Sequence, residues 1–173
     1  MNTAKWFDRK FDFNINNKEK QYQHICERLG QIPKKLEQLV AGSLPGTLTY
    51  KPGGKWSVQE HIGHLYLLES LWQQRIYDIR DSKPVLTAAD LENKATSEAG
   101  FNNDDITTLV KKFTDTRNKT LSLLENISNE DKMKTSLHPR LQQPMRIIDN
   151  IYFAAEHDDH HLEKIREIIS LSN

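Results

Sequence analysis

The chain has 173 residues, enough to bury one continuous hydrophobic core, and we expect a single domain over residues 1–173. Lys and Arg number 24 and Asp and Glu also number 24, so the net charge gives no support for nucleic acid or an anionic membrane as a partner. The single cysteine, Cys26, excludes an intramolecular disulfide and is compatible with a reducing compartment.

The amino-terminal residues 1–10 carry charges every few positions and contain no uninterrupted apolar run of signal-peptide length. No later stretch approaches the roughly 18 consecutive apolar residues of a membrane span. We therefore expect a cytoplasmic protein.

Helical periodicity begins with a first segment at residues 17–41, which Gly42 should terminate. Pro33 lies inside this segment and should kink or break the helix, because proline lacks the backbone N–H that a helix needs. The following residues, 42–55, are rich in proline and glycine and are predicted to form a loop.

The second helix is predicted over residues 57–80, because Ser57 and Glu60 have the spacing of a capping box. The connection after it is too long for a plain turn. It predicts a short helix over residues 87–97, where Thr87 and Asp90 resemble another capping box.

The third helix is predicted over residues 104–127, with Asp104 and Asp105 favourably placed at its positive amino end. The fourth is predicted over residues 144–171, with Pro144 in its first turn. Almost no segment shows the alternation of a strand. Four amphipathic helices bury their apolar stripes most simply in an all-α four-helix bundle with a short extra helix between the second and third.

Three charged residues fall on helix faces that should be apolar: Glu69, Arg117 and Asp158. Each lies near the middle of its helix, so the three can meet at one height in a buried polar cluster. The alternative is that they lie at the bundle edge, with their apolar stems on the core and their charged ends in water.

The fourth helix contains a dense polar run, His157, Asp158, Asp159, His160 and His161. His157 and His161 are four residues apart and share a helix face, so both can bind one metal ion, whereas His160 points elsewhere. Two ligands do not complete a site, and a histidine-rich surface patch is the alternative reading. A third ligand can come from the second helix, where periodicity alone does not choose between His61 and His64. Two further histidines, His24 and His138, are interpreted as ordinary surface or loop residues.

The sequences KWSVQEHIGHL at residues 55–65 and AEHDDHHL at residues 155–162 resemble the DinB-like superfamily, also called the DinB/YfiT-like metalloenzymes. The resemblance covers nearly the whole chain. Residues 5–11, 137–141 and 144–146 are similar to an uncharacterised branch of this superfamily.

The resemblance implies a four-helix bundle, commonly a homodimer, that binds a divalent metal ion through His64, His157 and His161. This choice rejects His61 and His160 as ligands. Zinc or nickel is the expected ion, although iron, cobalt and manganese also accept imidazole ligands. Characterised relatives include thiol-dependent transferases and isomerases that use bacillithiol, mycothiol or glutathione, and many members have no assigned reaction.

Three neutral histidines that leave a coordination position open suit a Lewis-acid site. Carboxylates commonly orient metal-bound histidines, and the candidates here are Asp158, Glu69 and Glu60, in that order. Arg117 either holds an anionic group of the substrate or neutralises Asp158, and the second role is favoured.

Two functional hypotheses follow. The first is a metal-dependent transferase or hydrolase that acts on a small-molecule substrate, with a low-molecular-weight thiol as co-substrate. The second is a non-catalytic bundle, associated with stress, that binds a metal or a small molecule. Neither hypothesis involves nucleic acid or a membrane. The mouth of the site is expected to draw on Trp56, Trp72, Tyr66, His138 and Arg140, and the sequence names no catalytic residue.

Overall fold

The structure is a computed structural model that describes residues 6–13, 15 and 19–171. Its helices and strands are, in chain order, α1 (Glu19–Val40), α2 (Pro45–Thr49), α3 (Val58–Arg80), α4 (Lys94–Glu98), α5 (Ile106–Glu125), β1 (Ser136–Leu137), β2 (Pro144–Met145) and α6 (Ile147–Ser170). Short 3-10 turns lie at Trp6–Asp8, Pro52–Gly54, Phe101–Asn103 and Asp131–Met133.

The four long helices form the predicted four-helix bundle. Both α1 and α3 pack between α5 and α6, so α1 and α3 lie diagonally opposite each other. Their apolar stripes face inward and build two stacked groups of buried side chains. Within the described ranges, no helix combines the length and the apolar composition that a membrane span requires.

Helix α1 continues through Pro33, so of the predicted kink or break the break is wrong. A proline at this position leaves the carbonyl of Leu29 without its helical donor. Arg117 of α5 supplies the missing hydrogen bond by donating from Nη1 to that carbonyl at 3.1 Å. The predicted stop is correct, since α1 ends at Val40 and Gly42 adopts a positive φ of 73°. The predicted start at residue 17 lies outside the described residues.

The local signals at the start of α3 are confirmed. Ser57 Oγ accepts the backbone N–H of Glu60 at 3.1 Å, and Glu60 Oε2 accepts the backbone N–H of Ser57 at 2.8 Å. Helix α5 starts in a similar way, because Asp105 accepts the backbone N–H of Thr108 at 2.8 Å. Both caps fix where a long helix begins.

Three predictions about the connections need correction. The proline-rich segment after α1 is not only loop, because it contains α2 and a 3-10 turn. The short helix α4 covers five residues, fewer than predicted. Thr87 and Asp90 do not form a capping box: Thr87 donates to Asp78, and Asp90 accepts the backbone N–H groups of Glu92 and Lys94.

Helix α6 begins three residues later than predicted. Pro144 and Met145 instead pair antiparallel with Leu137 and Ser136 in a two-stranded ladder. The helix then starts at Ile147, where the carboxylate of Asp149 accepts the backbone N–H of Arg146 at 2.9 Å. Proline is compatible with both a helix start and an edge strand, so this local signal was ambiguous.

One glycine permits a close contact at the start of α3. A Cβ atom on Gly63 would lie 2.2 Å from Cδ2 of Phe101, which is buried in the core. Gly30 of α1 is different, because a Cβ atom there would lie 3.4 Å from Cδ1 of Leu121.

We predict that Gly63→Ala lowers the free energy of unfolding by about 1–3 kcal/mol, because Phe101 must leave its packed position. Gly30→Ala is the matched control and should be neutral or stabilising by up to about 1 kcal/mol, since alanine favours the helix. Urea unfolding followed by circular dichroism measures both. Equal stability of the two variants would contradict the assigned contact.

Candidate metal centre

Four histidines meet where the first turns of α3 face the middle of α6. The capping box of α3 places His61 and His64 in its first two turns. Helix α6 presents His157 and His161 one turn apart on the same face. All four side chains are buried.

Three of these histidines converge on one point. Ligand atoms of His64, His157 and His161 all lie within 4.8 Å of one another. The Nε2 atoms of His157 and His161 are 3.1 Å apart. In a tetrahedral zinc site with Zn–N bonds of 2.0–2.1 Å, ligand nitrogens are about 3.3 Å apart. Two facing nitrogen lone pairs repel unless a proton or a cation lies between them, so the donor set and its spacing fit a divalent ion.

The outer nitrogens of two of these histidines have partners that hold the rings in place. His64 Nδ1 lies 2.9 Å from Thr96 Oγ1. His161 Nδ1 lies 2.8 Å from His61 Nδ1. When each Nδ1 donates its hydrogen to its partner, the Nε2 lone pair is left free for a metal ion. The Nδ1 atom of His157 is buried and has no hydrogen-bond partner within the described ranges.

The sequence did not predict that Thr96 contacts His64 or that His61 contacts His161. Thr96 lies in α4, and no local pattern links that short helix to a histidine of α3. His61 was considered only as an alternative ligand, whereas here it contacts His161, one of the three histidines that the resemblance selects. The i,i+3 spacing of His61 and His64 was the one available signal.

Burial keeps these imidazoles neutral. Desolvation lowers the pKa of His64 to about 4 and that of His61 to about 3. It also places the pKa values of His157 and His161 well below the ordinary value of 6.5. Neutral imidazole is the form that binds a metal ion, so the group is ready for binding at neutral pH.

The remaining histidine of α6 lies outside this group. His160 is half-buried, and its ring contacts those of Trp6 and His161 at centroid distances of 5.7 and 5.3 Å. The amino-terminal residue Trp6 also packs edge-on against His157 at 5.0 Å. Trp6 and Phe7 therefore form part of the wall of the cavity around the histidines.

The histidines line a cavity of about 710 Å³ between α3, α6 and the connecting segments. Of the residues expected at its mouth, Trp56, Trp72, His138 and Arg140 lie in its wall. Tyr66 does not, and packs against the core instead. A volume of this size suits a small organic molecule.

His138 is buried rather than an ordinary loop residue. Its Nδ1 accepts the backbone N–H groups of Arg140 at 3.2 Å and Leu141 at 3.1 Å. Burial lowers the pKa of His138 to about 3, helped by the charges of Arg75 and Arg140. The exposed His24 matches the expectation of a surface residue.

The three charged residues on apolar helix faces, Glu69, Arg117 and Asp158, meet in a buried polar cluster, which is the first of the two predicted alternatives. Arg117 donates from Nη2 to Glu69 Oε1 at 2.6 Å and from Nη1 to Asp158 Oδ2 at 2.8 Å. Thr120 donates to the other oxygen of Glu69 at 2.6 Å. Burial lowers the pKa of Arg117, but the two carboxylates outweigh burial and raise it, so the guanidinium stays charged.

The three carboxylates considered as orienting partners make other contacts. Asp158 and Glu69 bind Arg117, and Arg117 in turn neutralises them. Glu60 closes the capping box and accepts a hydrogen bond from Lys51. Two of the converging histidines instead form hydrogen bonds with Thr96 and His61 through their Nδ1 atoms.

Comparison with known proteins identifies the family. The model of the DinB superfamily matches residues 28–165. The chain belongs to the DinB superfamily.

This DinB-superfamily chain also resembles a solved structure. That structure is YfiT from Bacillus subtilis, described as a probable metal-dependent hydrolase with an unusual four-helix bundle topology. The TM-score is 0.78, the sequence identity is 19%, and the match covers 92% of this chain and 91% of YfiT. At this identity the likeness establishes the shared fold. A search of curated proteins gave no match.

We predict that Arg117→Leu lowers the free energy of unfolding by about 3–5 kcal/mol, because it leaves two buried carboxylates without their cation. Arg166→Leu is the matched control, since Arg166 pairs with Glu163 at the surface and should contribute less than about 1 kcal/mol. Urea unfolding compares the two. A loss for Arg117→Leu no larger than that of the control would contradict the assigned role.

We also predict a pH effect for His138. Its pKa is lowered in the folded state, so the unfolded state binds more protons below about pH 6.5 and stability falls as the pH falls, by up to about 1.4 kcal/mol per pH unit. His138→Asn keeps an acceptor for the two backbone N–H groups but does not titrate. Between roughly pH 6.5 and pH 4, the variant should therefore lose stability less steeply than the wild type.

Urea unfolding at several pH values checks this difference. His24→Gln is the matched control, because it removes an exposed histidine of α1. Parallel stability curves for the wild type and His138→Asn would exclude a buried neutral His138.

Proposed function

We propose that this protein is a divalent-metal-dependent enzyme of the hydrolase or thiol-dependent transferase class that acts on a small molecule. His64, His157 and His161 are its proposed ligands. The observation that supports this most strongly is the convergence of these three buried, neutral imidazoles on the wall of a cavity of about 710 Å³. Structural metal sites are normally closed by four protein ligands, whereas catalytic sites commonly use three.

The chain itself supplies the ligands and the surroundings. Zinc or nickel is the proposed ion, because both accept imidazole. When bound, such an ion supplies Lewis acidity that polarises a substrate oxygen and lowers the pKa of a water or thiol. Thr96 and His61 orient two of the ligands through their outer nitrogens. The rings of Trp56 and Trp72 line the cavity and exclude water from its walls.

Two further parts of the proposal come from the family resemblance. A low-molecular-weight thiol is the proposed co-substrate of a transferase, and a homodimer is the proposed assembly. The description of YfiT as a probable metal-dependent hydrolase supports the hydrolase alternative. Turnover assays with and without added thiol distinguish the two reaction classes, and light scattering measures the assembly.

We predict that the wild type binds one equivalent of Zn²⁺ or Ni²⁺ and that His161→Ala loses this stoichiometric binding while keeping its helical content. His160→Ala is the matched control, because it removes the adjacent histidine that does not belong to the converging group. Equilibrium dialysis with elemental analysis measures the bound metal.

The same samples test catalysis in a screen of thiol transfer and ester or amide hydrolysis. Activity that depends on added metal and is lost in His161→Ala supports the proposal. Activity retained after complete metal removal would overturn it. Metal binding without turnover would favour the non-catalytic metal-binding bundle.

A further inference from the structure

Two arginines of this protein are equally buried but have different partners. Arg75 and Arg117 each expose only 1% of their surface. Arg117 meets two carboxylates and a backbone carbonyl. Arg75 donates its Nε–H to the carbonyl of Thr87 at 3.0 Å, and in the described part of the chain no group accepts a hydrogen bond from its two terminal nitrogens.

The nearest acid in sequence is already occupied. Asp78 lies one turn after Arg75, but its carboxylate accepts hydrogen bonds from Lys83 at 2.7 Å, from the backbone and hydroxyl of Thr87 at 2.7 Å each, and from Gln74 at 3.0 Å. The charge of Asp78 acts on the Arg75 guanidinium, but no carboxylate of the described chain forms an ion pair or a hydrogen bond with it. The two terminal nitrogens of Arg75 are therefore available to donate hydrogen bonds to an anion.

Arg75 lies in the wall of the cavity that contains the histidines. The cavity face of α3 follows steps of three and four residues through His61, His64, Leu68, Trp72 and Arg75. Arg75 follows His64 by eleven residues, which corresponds to about 16 Å along the helix axis. Its guanidinium carbon lies 5.5 Å from the ring centre of Trp72, whose ring centre is 5.8 Å from that of His157. The histidines and Arg75 are thus two polar regions joined by an aromatic surface.

The charged side chains around this cavity are mostly cationic. Among the described residues, its wall contains Lys55, Arg75, Arg140 and Lys164 but one acidic residue, Asp90. The carboxylate of Asp90 already accepts two backbone N–H groups. Desolvation lowers the pKa of Arg75 to about 10, which leaves the guanidinium charged at neutral pH. The cavity is therefore complementary to a negatively charged molecule.

Two more donors belong to residues of the same wall. Trp72 Nε1 and His138 Nε2 are buried, and neither has a hydrogen-bond partner among the residues that the structure describes. Since His138 Nδ1 accepts two backbone N–H groups, the hydrogen of the neutral ring lies on Nε2. Both nitrogens are therefore hydrogen-bond donors.

We propose that Arg75 is the anion-binding residue of this cavity and that the substrate is a small acid, with an apolar body and a carboxylate or phosphate group that Arg75 binds through its terminal nitrogens. A planar guanidinium matches both oxyanions with two parallel hydrogen bonds. The apolar body lies along Trp72, which directs the rest of the molecule toward the histidines. The assignment of this acid as a substrate rests on the proposed function, whereas its binding to Arg75 does not.

The test is calorimetric titration of metal-free protein, prepared with a chelator that is then removed by gel filtration. The probes are benzoate and phenyl phosphate, with benzamide as the neutral probe of the same shape. We expect at least one anionic probe to bind at least tenfold more tightly than benzamide. Comparison of the two anions distinguishes a carboxylate from a phosphate site.

Arg75→Gln should weaken binding of the anionic probe at least tenfold, and Arg80→Gln, an exposed arginine of the same helix, should leave it unchanged. Arg75→Lys keeps the charge but loses the planar pair of donors, so it should bind more weakly than the wild type. Should Arg75→Gln fail to fold, Arg140→Gln serves instead and should also weaken binding, because Arg140 lines the same cavity.

Undetectable binding of both anions, equal binding of benzamide, or equal affinities in the wild type and the arginine variants would overturn the proposal. Because the protein is metal-free, these outcomes do not depend on metal binding by the histidines. Failure of the metal-binding experiment would leave the anion site standing, and failure here would leave the metal site standing.

Discussion

The structure depends on one buried guanidinium that joins all four long helices. Arg117 projects from α5 and donates to Leu29 of α1, Glu69 of α3 and Asp158 of α6. The bond to Leu29 explains why α1 tolerates Pro33, since the carbonyl that the proline leaves free has become a partner of Arg117. Apolar stripes alone permit helices to slide along each other, but a charge-assisted hydrogen bond has a defined length and direction.

This constraint also sets the position of the histidines. Asp158 directly follows His157, so the bond that fixes Asp158 fixes the height of that turn of α6. Glu69 follows His64 by five residues, about 7.5 Å along α3, and is fixed by the same guanidinium. The polar cluster therefore fixes the axial position of α3 relative to α6, and the convergence of the three imidazoles depends on that position. The carboxylates position the histidines through the backbone, without contacting their rings.

The sequence predicted what depends on local or periodic information. The four long helices, the Ser57 capping box and the shared face of His157 and His161 follow from spacings of three and four residues, and the inward charges were recognisable because they interrupt apolar stripes. Contacts made by the connecting segments were not predictable in this way. Thr96 reaches His64 only because the connection after α3 folds back. Helix α6 starts later than predicted because Pro144 and Met145 pair in a strand, and no sequence pattern near Pro144 indicates that pairing.

The two buried arginines show the same difference most clearly. Arg117 interrupts an apolar stripe, and its carboxylate partners interrupt stripes of their own, so the sequence contained both halves of the interaction. Arg75 has no such partner among the described residues, although an acid lies only three residues away at Asp78. A buried charge that the protein has matched stabilises the fold and fixes one arrangement of helices. Arg75 makes one hydrogen bond to a backbone carbonyl and stacks on Trp72, but it pairs with no carboxylate in the described chain, so beside the cavity it is suited to a ligand that carries the opposite charge.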